Sequence, residues 1–394
     1  MAALREIARR CRRLASQRRN VLIAYCLVAI IATIQTYWLR PITTFRIYQG
    51  SASHLLELKD LYALDPATRL DYFKYSPTFA FLMLPFVHVP HFVGLLIWNL
   101  MNALALFTAI YGLGLADGKK ALICWVTLWE LLTSIQHQQS NGLMAGLLVW
   151  TFVGLERGRA FWAAVPLVLS VFLKLFGVMA VVLVPFYPRK MGMLGWCALW
   201  GVLLFVLPCL VIPFDHLVDL YRRWVNLLRM DLAHSRGLSV MGILHAWFRW
   251  DLAAAAVLLP AGVLLCLPLV RCRQYGSAQY RYLYFSSLMV WLVIFNPKAE
   301  SATFVIALVG IAIWFAVSKA KPLDVVLLML ALLLTSFNAD LFPKYFRRQY
   351  VGPYLLKAVP CVLIWLRMQQ GLLLGDWVPA MASRGGGSAG QADG

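Results

Sequence analysis

Residues 71–113 read DYFKYSPTFAFLMLPFVHVPHFVGLLIWNLMNALALFTAIYGL. A polar rim, Asp71–Ser76, leads into a short apolar piece, Thr78–Val89, interrupted by Pro77 and Pro85. That piece is too short to cross a bilayer and reads as a re-entrant or juxtamembrane helix. The next run, Val93–Leu113, is unbroken and long enough to span one. Such a sequence suits lipid rather than water. The chain has 394 residues, of which 61% are hydrophobic and only 13% charged. Water-soluble packing could not hide that much apolar surface. The 15 Trp and 16 Tyr suit the two bilayer interfaces, where a ring can have one wet edge.

Further apolar runs lie at Val21–Leu39, Ala121–Ile135, Leu143–Leu155, Phe161–Leu173, Phe176–Tyr187 and Met191–Ile212. Others follow at Leu252–Val270, Tyr280–Phe295, Ala302–Val317, Leu323–Phe337 and Pro353–Trp365. Together they predict an all-α polytopic membrane protein with a bundle of about 12 transmembrane helices. The two runs around Lys174 are short enough to be half-helices. With the Arg-rich N-terminus (residues 1–20) in the cytoplasm and Thr78–Val89 only dipping in, the basic loops fall on one side. These are Lys119-Lys120, Arg157/Arg159, Arg189-Lys190, Arg271/Arg273, Lys319/Lys321 and Arg367, as the positive-inside bias asks. One transmembrane domain, 21–367, is expected, followed by a disordered cytoplasmic tail, 368–394, that contains GGGSAG. The outer face receives loops 40–92, 213–250 and 338–352.

The formal charge of +19 is spread between apolar spans. It reads as orientation signal and contact with anionic membrane lipids, and no nucleic acid partner is expected. The eight cysteines show no CxxC pair, and most lie inside apolar runs, so neither a disulfide framework nor a metal site is expected. There is no P-loop, GxGxxG or GxSxG, so an ATP-driven pump is disfavoured and no cofactor is implied.

Ionisable groups inside a membrane domain are costly and point to function. Asp71 lies where protein, lipid and water meet, and desolvation there suits a general base. A helix cap or a partner for Lys74 is the plainer reading. Asp60 and Asp65 read as turn residues. Glu130, Ser134, His137 and Asn141, spaced 4, 3 and 4 apart, would share one face of a continuous helix. That face is either the wall of a polar cavity or a helix–helix hydrogen-bond seam. Lys174, in LVLSVFLKLFGVMAVV, needs an acidic partner, an anionic ligand or a path to the surface. The outer loops add Arg222, Arg223, Arg229, Asp231, His234 and Arg236, then Lys298 and Glu300 flanking a break between spans, then Lys344. Several cations converging on one face suit a phosphate or diphosphate.

The segments FRIYQ, DLY, FKYSPTFAFLMLPF, LLIWNLMNALALF, ELLTSIQHQQSNGLMAGLL, VFLKLFG, HSRGLSVMGIL and FNPKAESATF follow one another over residues ~20–370. In that order they resemble glycosyltransferase family 87, polytopic GT-C-type enzymes that include polyprenyl-phosphate-mannose-dependent mannosyltransferases. The resemblance implies a bacterial inner (plasma) membrane enzyme with a polyprenyl-phosphate sugar as donor and a lipid or glycan acceptor. It implies inverting transfer to a hydroxyl on the extracytoplasmic face, with no obligatory metal. It also implies an aspartate just after the first span, as base. Here Thr44-Phe45-Arg46-Ile47-Tyr48 matches that motif, with Thr44 at the acidic position. Either another acid serves, Asp71 first and then Asp60, Glu300 and Glu130, or transfer is lost. The expected site is Asp71 and Glu300 as catalytic groups. Lys174, Arg236, Lys298, His137, Asn141, Glu130, Tyr75 and Lys344 are expected around the substrate. A transporter or flippase for a lipid-linked or amphiphilic substrate is the alternative from another class. The absence of inverted-repeat hydropathy speaks against it.

Overall fold

The computed structural model describes residue 6 and residues 14–39, 43–64, 71–232 and 235–375. Asp65, His234 and the GGGSAG tail lie outside the described residues. Among the described residues the structure is helical, with no strand. The main elements are α1 (Arg18–Leu39), α2 (Thr44–Leu56), α3 (Pro77–Leu82), α4 (His91–Gly112), α5 (Asp117–Gln136), α6 (Asn141–Glu156) and α7 (Ala160–Leu173). They continue as α8 (Lys190–Val206), α9 (Phe214–Leu232), α10 (Val240–Phe248), α11 (Ala254–Cys266), α12 (Ala278–Ile294), α13 (Phe304–Val317), α14 (Pro322–Ala331) and α15 (Val359–Leu374).

α12 and α13 are apolar and buried on nearly every side, and they pack against each other at the centre. α6 is buried almost as fully and packs on α4 and α7, while α5 packs on α13. α1, α8, α11 and α14 form the rim. Their outer faces expose Ile23, Leu27, Ile34, Leu199, Val202, Leu259, Val263 and Val326. A helix apolar on its outer face needs lipid rather than water against it. Three helical stretches, Arg18–Leu39, His91–Gly112 and Lys190–Leu210, are long and apolar enough to cross a membrane. The other apolar helices are shorter.

The structure revises several local expectations. Pro77 does not break the short apolar helix but starts it. It occupies the first turn of α3, where its missing N–H costs nothing, and Ser76 caps the turn by accepting from the Phe79 N–H (3.1 Å). The stretch 213–250 is largely two helices, α9 and α10. The spacing of Leu217, Leu220, Trp224 and Leu227 gives α9 one buried stripe, a pattern hidden by the surrounding charges. The run after Lys174 is a 3₁₀ helix, Leu175–Phe186. The helix expected to carry Glu130 through Asn141 stops at Gln136 and restarts at Asn141. Between them Gln138 takes a left-handed conformation (φ 58°). Its carbonyl accepts from Trp98 Nε1 (3.0 Å) and its side-chain oxygen from the Phe45 N–H (3.0 Å). Tertiary partners replace the helical bonds that the turn gives up.

Candidate active site

The break after α5 exposes Gln139, and the break between α12 and α13 exposes Lys298 and Glu300. The two meet: Gln139 Nε2 donates to Glu300 Oε2 at 2.6 Å. From Gln139 the network runs inward. Asn141 Nδ2 donates to Gln139 Oε1 (2.8 Å), and Lys174 Nζ donates to Asn141 Oδ1 (2.6 Å). Lys174 is presented by a third break, where α7 ends and the backbone is extended (φ −147°, ψ 119°). Ser76 Oγ donates to the Phe172 carbonyl beside that break (2.7 Å), so the residue that caps α3 also ties it to the end of α7. Glu300 is close enough for its charge to act on Lys174, Lys74, Tyr75 and Tyr48.

Above this line lies a second run of contacts. Lys74 Nζ bonds Asp71 Oδ2 at 3.1 Å and lies 3.8 Å from Asp231 Oδ1. Asp231 in turn pairs with Lys298 Nζ at 2.9 Å. Burial alone would lower the Lys74 pKa, but the bond to Asp71 and the charges of Asp71, Asp231 and Glu300 raise it above the usual lysine value. Lys74 therefore stays cationic at neutral pH. The loop carrying Lys298 is held by α9–α10 residues. Ser235 Oγ donates to the Pro297 carbonyl (2.7 Å), and the Leu238 N–H donates to the Ala299 carbonyl (2.8 Å).

The wall is aromatic. Tyr48 and Tyr75 share a hydroxyl–hydroxyl bond of 2.6 Å, and Tyr75 stacks on Phe79 with centroids 4.7 Å apart. The fully buried Ser140 hydroxyl faces the tyrosine pair. Tyr48 lies one helical turn after Thr44 in α2, so the two share a face.

A family model for glycosyltransferase family 87 matches residues 73–338. The chain belongs to that family. No curated protein matches it. The match takes in Lys74, Tyr75, Gln139, Asn141, Lys174, Asp231, Lys298 and Glu300 of this glycosyltransferase, while Thr44, Asp71 and Lys344 lie outside it.

Of the residues expected around the substrate, Asp71, Tyr75, Asn141, Lys174, Lys298 and Glu300 come together. Asp71 is not the desolvated carboxylate expected at a lipid junction. Its side chain is 67% exposed and shared between Lys74 and the Tyr72 N–H (2.8 Å). The plainer sequence reading, a partner for Lys74, describes that contact. His137 ends α5 with an exposed side chain. Arg236 pairs with Asp251, which also contacts His245 Nδ1 at 3.0 Å. Lys344 is exposed at the start of the one-turn helix Lys344–Phe346. Glu130 is buried against Lys357, with Nζ–Oε distances of 2.9 and 3.1 Å, as in a helix–helix seam. Sequence reasoning missed Gln139, Tyr48, Ser140 and Lys357, and it treated Lys74 only as a partner of Asp71. The signal for Lys357 was a lone cation in an apolar run whose charge complements the lone Glu130.

Proposed function

We propose that this glycosyltransferase moves a hexose or pentose from a polyprenyl-phosphate sugar to an acceptor hydroxyl, with inversion, on the extracytoplasmic face of a bacterial inner membrane. One observation carries the reading. Three helix breaks bring an accessible carboxylate, Glu300, into one hydrogen-bonded chain with Gln139, Asn141 and Lys174, within range of charge of Lys74 and the Tyr48–Tyr75 pair, at one end of an apolar bundle. Glu300 takes the proton of the acceptor hydroxyl as its oxygen attacks the anomeric carbon. The bond to phosphate breaks, and the phosphate oxygen leaves with the electron pair. Lys298, Lys74 and Lys174 are the cations within reach to stabilise that growing charge. Asp71 is a further carboxylate, at the rim. Tyr75, stacked on Phe79, offers an aromatic face and a hydroxyl to a sugar. In this reading α3 and α9 would guide the polyprenyl chain. Thr44 has no carboxylate, and in this reading Glu300 supplies the acid from another element.

A carrier would need its site open to both faces. At the far end of α6, about 24 Å away along a 16-residue helix, Glu156 receives two bonds from Arg281 (2.5 and 2.9 Å) and one from Tyr187 (2.6 Å). This cross-linked end supports one-sided access.

The test is the purified chain in lipid with labelled polyprenyl-phosphate sugars and extracted membrane lipids. Transfer from at least one donor is expected. Glu300→Gln is expected to lower kcat by about 10²-fold or more, the usual range for a lost general base. Asp71→Asn is expected to lose less. If Asp71→Asn is the more damaging, the base moves to Asp71; if no donor is used by the unaltered chain, the transfer reading fails.

A further inference from the structure

The charged pair most deeply buried beneath the site has no part in the chemistry above. Glu130 is completely buried in α5, where it pairs with Lys357, itself 8% exposed. Both carboxylate oxygens accept from the one ammonium, at 2.9 and 3.1 Å. Two isolated charges in an apolar bundle are expensive, and a hydrophobic pair of similar volume would hold the helices at least as well. Stability alone therefore gives little reason for the pair.

Its connections suggest another reason. Glu130 belongs to the helix whose end releases Gln139. Lys357 Nζ lies over the Phe304 ring, 5.3 Å from its centroid. Phe304 is the first residue of α13, directly after the turn Ser301–Thr303. Glu300 caps that turn, with its own N–H donating to Thr303 Oγ1 (3.2 Å). The ion pair thus joins the two elements that carry the two ends of the Gln139–Glu300 bond. Lys357 is itself tied to a third element. Its carbonyl accepts from Thr335 Oγ1 (2.8 Å) in the π-helical turn Leu332–Ser336, a wide turn of a kind frequent at functional sites.

We propose that Glu130 and Lys357 are positioning residues. Their bidentate pair, with Phe304 under the ammonium, sets the distance and orientation between Gln139 and Glu300, and so aims the Glu300 carboxylate. Neither residue touches substrate. The inference rests on the reading of Glu300 as the transfer carboxylate, so its test includes a measurement that needs no sugar transfer.

In lipid nanodiscs, Glu130→Gln lowers kcat about tenfold and leaves donor KM within about twofold, because orientation rather than ground-state binding is lost. Lys357→Arg recovers most of the rate that Lys357→Met loses. The double variant Glu130→Met/Lys357→Met keeps its thermal midpoint yet stays slow. Independently, Gln139→Cys/Glu300→Cys, made where the other cysteines are replaced by serine, is joined by a short bifunctional thiol reagent. The crosslink forms in one fast phase with the ion pair intact and in slower, mixed phases without it. A double-methionine variant with full kcat overturns the proposal, as does a crosslink that ignores the pair. If no sugar is transferred but the crosslink still responds, the positioning role stands and the transfer reading falls.

Discussion

At the scale of single residues, the site is a balance of charges rather than a cluster of cations. Lys74, Lys174 and Lys298 are matched by Asp71, Asp231 and Glu300, and Asp231 lies between two of the lysines. In the proposed reading, a donor phosphate entering that space would compete with Asp231 for Lys298 and Lys74. Asp231→Asn is therefore expected to lower donor KM by about threefold, the sign opposite to that of a lost ligand contact. Steady-state kinetics against the polyprenyl-phosphate sugar reads it. A raised KM would assign Asp231 to holding Lys298 in place. Lys298→Ala is expected to raise donor KM several-fold, about 1–2 kcal/mol for a lost charge-assisted contact, with acceptor KM nearly unchanged.

At the scale of elements, the proposed site sits where helices stop. Gly237 shows how closely the loops meet. It has φ +52°, and a Cβ there would lie 2.6 Å from the Pro297 carbonyl oxygen and 2.9 Å from that of Ala299. Gly237→Ala adds a left-handed penalty and a clash with backbone. A loss of about 2 kcal/mol or more is expected, seen as a lower thermal midpoint together with weaker donor binding. Ser76 joins two elements, capping α3 and closing on the Phe172 carbonyl. Ser76→Ala is expected to cost about 1–2 kcal/mol, with kcat falling because Lys174 follows that carbonyl closely in the chain. Such breaks were only partly legible beforehand. Pro297 and the polar pair Lys298/Glu300 flagged one, and Lys174 flagged another. The stop at Gln136 had no proline or glycine to announce it, since its cause is Trp98 and Phe45 bonding to Gln138 from other helices.

At the scale of the whole molecule, the two ends of the bundle differ. One end carries the broken helices and their open polar groups. The other is cross-linked by Glu156–Arg281–Tyr187, by Asp324–Arg367 (3.1 Å), and by Arg271, whose guanidinium donates to the Leu372 and Leu373 carbonyls at the end of α15 (2.9 Å each). Arg281→Met leaves Glu156 half-buried without its cation. A loss of about 2–3 kcal/mol is expected in a thermal melt, with kcat of the surviving enzyme unchanged because the proposed site lies at the far end. A matching loss of kcat would show that the ends communicate, as a carrier requires.

The helical, lipid-facing character of the chain was determined by its sequence alone, because apolar runs and scarce charge permit no other solvent. The family was legible too, in the order of short motifs from FRIYQ to FNPKAESATF, and Lys174, Lys298 and Glu300 already stood out as charged groups at breaks between apolar runs. Only the tertiary structure decided which charges meet. Lys74 finds Asp231, Glu130 finds Lys357 and Gln139 finds Glu300 across long stretches of chain. Periodicity describes one helix at a time, whereas pairing across the bundle depends on where each helix ends and what packs on the break.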